Sequence, residues 1–243
     1  MLIHEKAPFV RGCLLMISFL ALFVLLLTPL FDDGKGQKLT GLQYADSVFN
    51  ELSKGSSYFI PGVRAQIASL KDMEADLTVS LKKPELAPLA LTLLQTAGVG
   101  TATAEGGKIS FKGNLGAILT SATDDADNLY HNQGEPVSQK YGGVPALQAA
   151  SAWWYLLSPC IKELQKQGHI SQAQVVDQVI RRAVEPGNNF YSVPASKVSD
   201  HIWLMSGMLI FYVLYTLWYG FAIFELFEGV GLAMTKSASK QES

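Results

Sequence analysis

The stretch Asp124-Asp125-Ala126-Asp127-Asn128-Leu129-Tyr130-His131 is the most suggestive grouping of reactive side chains in the sequence. On a helix, Asp124, Asp127 and His131 stand at i, i+3 and i+7, so one face carries two carboxylates and an imidazole. Carboxylate and imidazole are suitable ligands for a divalent cation, and Glu135 would join from the following loop. The same group would hold a histidine for acid–base work. Against both stands a solvated helix face, on which Asp127 and His131 make an ordinary i, i+4 contact. The solvated face is the first expectation, and Asp124, Asp127 and His131 are the candidate ligand or metal face.

A second concentration is aromatic. Trp153 and Trp154 are adjacent, so on a helix they point about 100° apart and cannot both face one core. One is expected inside and the other at an interface with a partner or the membrane surface. Phe190 and Tyr191 follow Pro186-Gly187; a plain loop is the first expectation there, and a pair of rings resting on the headgroup region makes them candidate interface residues. Further along, Gly207 and Gly220 would let a partner helix approach, although they are not spaced as a GxxxG pair. Glu225 and Glu228 share one helical face and are expected at the membrane interface rather than its midplane.

Familiar catalytic signatures are missing. The sequence contains no GxSxG, HExxH, Walker loop or GxGxxG followed by an acidic residue. It has no CxxC, no haem-attachment motif and no zinc spacing, so no haem, zinc or nucleotide cofactor is implied and the cofactor is unknown. The expectation is a protein that is not an enzyme. A formal charge of -2 argues against a nucleic-acid partner, which would favour a basic face. The two cysteines, Cys13 and Cys160, fall in different environments and are not expected to bridge, and Cys160 reads as a buried thiol.

The elements that must position these residues fall into two environments. The chain is 49% hydrophobic and 16% charged, and two uncharged runs near the ends account for most of the apolar excess. The first, residues 12–31, is long enough at 1.5 Å per residue to cross a hydrocarbon core of about 30 Å. It has no small-x-small cleavage site and reads as a retained anchor. The second, residues 202–224, carries Trp203, Tyr212, Tyr215, Trp218 and Tyr219, rings suited to the two interfaces. Lys6 and Arg11 precede the first run, and Lys236 and Lys240 follow the second, whereas the residues just outside, between the runs, are Asp32, Asp33 and Asp200 mixed with only a few lysines. This charge bias places both termini in the cytoplasm. The expected organisation is a cytoplasmic N-terminus (1–11), transmembrane helix 1 (12–31), an extracytoplasmic α+β domain (32–201), transmembrane helix 2 (202–224) and a cytoplasmic interfacial segment and tail (225–243).

Inside residues 32–201, DDGKGQK reads as a linker and Thr40 opens a helix through a capping box with Gln43. Lys54-Gly55 stops that helix, Pro61-Gly62 marks a turn, and a second helix runs over residues 63–74. Residues 76–81 alternate apolar and polar as a half-buried strand, and residues 84–97 form a helix. A hairpin over 99–112 closes on Glu105-Gly106-Gly107, and Asn114 caps a helix to Tyr130. That order predicts a small βαββα sandwich over residues 76–131. Residues 141–167 and 171–185 predict a helical hairpin, the second helix opened by Ser171 with Gln174 and stopped by Pro186-Gly187.

The function expected from this organisation is a membrane-anchored interaction or accessory protein that docks onto or organises a membrane complex. Its partners would be the bilayer and a membrane protein or a second copy of the chain. A ligand-binding sensor signalling laterally is the alternative, because little chain follows the second run, and a metal-dependent enzyme is the second alternative. No Asn-x-Ser/Thr sequon occurs, so a bacterial cytoplasmic membrane with the domain periplasmic or extracellular is the simpler assumption.

Overall fold

Uncharged Leu, Phe, Val and Ile side chains carry the first helix, α1 (Lys6–Leu26), which ends just before Thr28-Pro29 because proline disfavours a helical residue ahead of it. The computed structural model describes residues 3–33 and 36–232, so Lys236 and Lys240, which entered the charge argument, and the tail from residue 233 lie outside the described residues. Phe31–Asp32 (β1) and Lys38–Leu39 (β2) pair antiparallel where a plain linker was expected, a segment of which residues 34 and 35 are outside the described residues. Next come α2 (Gly41–Ser56), α3 (Ile60–Ile67), β3 (Glu74–Ser80), α4 (Ala87–Thr96), β4 (Thr101–Glu105) and β5 (Lys108–Asn114). The chain continues with α5 (Leu115–Tyr130), α6 (Gly134–Lys140), α7 (Ala146–Lys166) and α8 (Ile170–Val179). A π-helical turn, Ile180–Val184, leads into α9 (Glu185–Asn189), and α10 (Val198–Gly229) closes the described chain. Among the described residues the fold is mostly helical, with one two-stranded and one three-stranded sheet.

By their contacts the residues fall into two units, Met1–Phe49 with Ser196–Ser243, and Asn50–Ala195. In the first unit α1 and α10 run antiparallel. At one end the backbone N–H groups of His4 and Glu5 donate to the Gly229 carbonyl at 2.8 and 3.0 Å. Halfway along, the Phe19 and Tyr215 rings stack with centres 4.2 Å apart. The tightest approach is at Gly12 and Gly229: a Cβ on Gly229 would stand 2.6 Å from the Phe9 Cα, and one on Gly12 would stand 2.7 Å from the Leu226 nitrogen. Gly207 and Gly220, the expected points of approach, have nothing within 4 Å of an added Cβ. They sit on open sides of α10. Both α1 and α10 are long and apolar enough to cross a membrane.

In the second unit the three strands lie in the order β3-β5-β4, all antiparallel. Ala75, Leu77 and Val79 of β3 and Ile109 and Phe111 of β5 turn inward, and the intervening residues do not, as period-two alternation requires. Gly106 and Gly107 both take positive φ in the two-residue turn that joins β4 to β5, which residues with a Cβ rarely adopt. Asn114 caps α5, its side chain accepting from the Ala117 N–H at 2.8 Å. Helices α4, α5, α7 and α8 close one continuous core, with Leu93, Leu119, Trp153, Leu157 and Val176 inside it.

An expected turn and an expected stop are helix starts instead. Pro61 stands in the first turn of α3 and Pro186 in the first turn of α9, where a missing N–H leaves no bond unmade. The π turn ahead of Pro186 absorbs the break in the hydrogen-bond ladder. Ser171 falls inside α8, whose cap position is His169, so the second capping box does not form.

Candidate functional site

Helix α5 carries the charged grouping and sorts it by face. Asp124 and Asp127 lie on its outer side and Asp125 on its inner side. From α3, Arg64 reaches both outer carboxylates: its Nη1 pairs with Asp124, and its Nη2 stands 3.1 Å from Asp127 Oδ2. The Tyr58 hydroxyl donates to Asp127 Oδ1 at 3.1 Å, and His131 Nδ1 lies 3.0 Å from the same oxygen. Burial, and then the bond to Asp127, hold the Tyr58 hydroxyl above its ordinary pKa. Glu135 turns along its own helix and accepts from Gln139 at 2.8 Å.

This arrangement lends the metal reading no support. Among the described residues, no group of three or more His, Cys, Asp or Glu side chains is placed to hold a metal ion. The physical reason is Arg64, whose forked guanidinium neutralises the two carboxylates that would have been ligands. What remains is a solvated face with a cross-helix ion-pair network, of the kind that contributes about 0–1 kcal/mol per exposed pair.

Asp125 is the carboxylate the structure buries, at 2% exposure. It accepts from Trp153 Nε1 at 2.7 Å, from Lys140 Nζ at 2.7 Å and from the Tyr141 hydroxyl. Lys140 Nζ also donates to Ser121 Oγ at 3.0 Å. Burial first, and the Asp125 charge second, push the Tyr141 hydroxyl well above its usual pKa. Every polar atom in this knot has a partner and solvent does not reach the carboxylate, so the knot ties α5, α6 and α7 together. Its sequence signal was present but unread: Asp125 interrupts the apolar stripe Ile118, Ala122, Leu129 at helical spacing.

Lys54 was likewise unforeseen. It is 3% exposed, and its Nζ donates to Asn132 Oδ1 at 3.0 Å and to the carbonyls of Phe190 and Val193 at 3.0 and 2.6 Å. Burial lowers its pKa. Asn132 also accepts from the Ser192 N–H at 2.8 Å. This clamp fixes residues 190–193. Phe190 thereby sets its ring edge toward Tyr130, with centres 6.0 Å apart, and Tyr191 packs over Gly134. Both rings are half-buried within the unit, not presented as a free pair.

The two tryptophans divide by the 100° step between them. Trp153 is buried in the core, and Trp154 sits half-buried on the rim, donating to Glu185 Oε1 at 2.9 Å. Tyr155 stands edge-on to it, with centres 5.0 Å apart, and the Lys83 ammonium lies 5.0 Å from the Tyr155 ring centre. With Ser151, Glu185, Asn188 and Asn189 these rings line a groove of about 360 Å³ next to the π turn. It joins aromatic faces to one carboxylate and two amides, a mixed lining suited to a small polar ligand with an apolar face. At the far end of α10, Glu225 accepts from Arg11 at 3.0 Å and Glu228 is exposed. No family model, curated protein or solved structure matches the chain.

Proposed function

We propose that this chain is a membrane-anchored accessory protein. Helices α1 and α10 cross the bilayer as an antiparallel pair, and residues 32–201 between them form an extracytoplasmic domain that docks onto or organises a membrane complex. The observation that carries the reading is the bare apolar surface of the helix pair. Leu14, Ile17, Leu20 and Val24 of α1 and Leu209, Ile210, Val213, Leu214 and Leu217 of α10 are all exposed. In water so large a contiguous patch is untenable, whereas in lipid it is the surface a spanning pair requires. The antiparallel pairing agrees with an even number of spans, and the Arg11–Glu225 pair sets charge at one end of the bundle. A non-catalytic role is supported by the chemistry of α5, where Arg64 takes up the outer carboxylates and the inner one is sealed.

The test is extraction of the full chain from its native membrane in mild detergents, with sizing and mass analysis of the particle. Docking predicts a particle larger than one chain with a stoichiometric membrane protein in it. A monodisperse single chain in every mild detergent overturns it. A second reading, a ligand-binding domain that signals laterally, is favoured by the Trp154–Glu185 groove. It predicts that some small polar ligand raises the melting temperature of the full chain, and that Trp154→Ala abolishes the shift.

A further inference from the structure

The first half of α2 presents an apolar face that no packing in its own unit explains. Leu42, Ala45 and Phe49 follow at i, i+3 and i+7, and Leu42 and Phe49 are 56% and 49% exposed. The segment is held in a definite register at its start. The Thr40 N–H donates to Gln43 Oε1 at 2.9 Å and the Gln43 N–H to Thr40 Oγ1 at 3.2 Å, a reciprocal capping box. The Tyr44 ring stacks on Phe31, with centres 5.1 Å apart. Two apolar clefts of about 550 and 600 Å³ open beside this face, one reaching Leu42 and Ala45 and the other Phe49, and Met208 of α10 lines both.

Depth decides what covers the face. The Arg11–Glu225 ion pair marks one edge of the hydrocarbon, since charges settle where water can reach them. Twenty residues back along α10, about 30 Å at 1.5 Å per residue, is Met205, which marks the other edge. Trp203 lies just beyond it at 88% exposure, where an indole ring suits the interface. On the α10 side of the clefts, Met208, Leu209, Phe211 and Tyr212 stand inside that edge, whereas Val198, Ile202, Trp203 and Leu204 stand beyond it. The clefts thus straddle the edge, and the α2 residues that border them lie at interfacial depth.

We infer that α2, over Gly41–Phe49, is an interfacial helix whose Leu42–Ala45–Phe49 face is buried among the acyl chains of the non-cytoplasmic leaflet. The inference rests on the membrane-spanning reading of α1 and α10 and adds a third contact with lipid. No Lys or Arg occurs between Lys38 and Lys54, so the attachment is through apolar burial and owes nothing to anionic headgroups.

The test uses the full chain in vesicles of phosphatidylcholine. Single cysteines replace Leu42, Phe49, Gln43 and Leu214 in turn in a Cys13→Ser background, and each carries an environment-sensitive fluorophore. Cys160 is fully buried and does not label in the folded chain. The labels at 42 and 49 are expected to be quenched several-fold more by a shallow lipid-borne spin label than the label at 43, and to be unchanged by high salt or added anionic lipid. If 42 and 49 behave like 43 while 214 is quenched by lipid, the interfacial helix is wrong and the spanning helices stand. If 214 also reports water, the membrane reading itself has failed. Labels at 42 and 49 that are dry yet out of reach of the lipid quencher would mean that protein covers the face, which overturns the inference.

Discussion

At the scale of single residues, the sharpest consequences belong to side chains that the fold seals from water. Asp125 satisfies three donors at once, so removing it leaves the Trp153 indole N–H and the Tyr141 hydroxyl unpaired in the core. Each unsatisfied buried group costs about 1–3 kcal/mol, so Asp125→Ala is expected to lose roughly 3 kcal/mol or more in a denaturation experiment, and Asp125→Asn, which keeps an acceptor, clearly less. Cys160 gives a pH prediction. Its thiol, ordinarily near 9.0, is pushed up to about 12, by burial above all. A raised pKa means that the folded state keeps a proton the unfolded chain releases. Stability is therefore fully present below pH 9.0 and falls as pH rises toward 12. Between pH 9 and 10 this group alone removes about 1 kcal/mol, at 1.36 kcal/mol per unit once the unfolded thiol has ionised. Cys160→Ala is expected to lose that slope, so its stability relative to the parent chain rises by about the same amount over that interval. Parallel slopes for the two proteins would refute it. Asp125 was legible in principle, because a carboxylate inside an apolar stripe is a local anomaly. Lys54 and Arg64 were not, because their partners stand 60 to 139 residues away and no spacing rule reaches that far.

At the scale of elements, local signals were readable and signals that depend on neighbours were not. The alternation in β3, the Asn114 cap and the Thr40–Gln43 box each involve residues within a turn or a strand, and the corresponding contacts are present. Pro61, expected in a turn, and Pro186, expected as a stop, are each equally compatible with the first turn of a helix until tertiary packing chooses. Glycines divide in the same way. Gly207 and Gly220 lie in an apolar run like the glycines of a helix interface, yet the contact falls at Gly12 and Gly229 because those face the other helix. This distinction has a measurable effect. A side chain at Gly229 must displace the Phe9 backbone, which cannot yield as a flexible side chain would. Gly229→Leu is therefore expected to destabilise the α1–α10 pair by about 1–3 kcal/mol, the usual cost of overpacking. Gly220→Leu, which meets open space, should leave it unchanged. Unfolding of the full chain in mixed detergent micelles measures both, and equal effects would show that the pair does not close at Gly229.

At the scale of the whole molecule, the antiparallel pairing of α1 and α10 makes the proposed orientation testable. Because α1 and α10 are antiparallel partners, residues 3–5 and the end of α10 stand at the same end of the pair, where the N–H groups of His4 and Glu5 meet the Gly229 carbonyl. Everything between α1 and α10 in the sequence must then leave from the other end. The proposed orientation puts the end that holds residues 3–5 in the cytoplasm, on the Lys6 and Arg11 charges in the first two turns of α1. Proposed in this orientation, the protein makes a definite prediction for cysteine accessibility. Lys71, exposed in the second unit, replaced by cysteine should react with a membrane-impermeant maleimide in intact cells. Glu5→Cys should react only after the membrane is opened. Cys160, buried in the core, should stay silent until the chain is denatured. The reversed pattern would invert the topology while keeping the pair, because antiparallel helices tie the two positions to opposite sides either way. Reaction at both positions in intact cells would break the spanning pair itself, since no antiparallel crossing can place residue 5 and residue 71 on one face of a sealed bilayer.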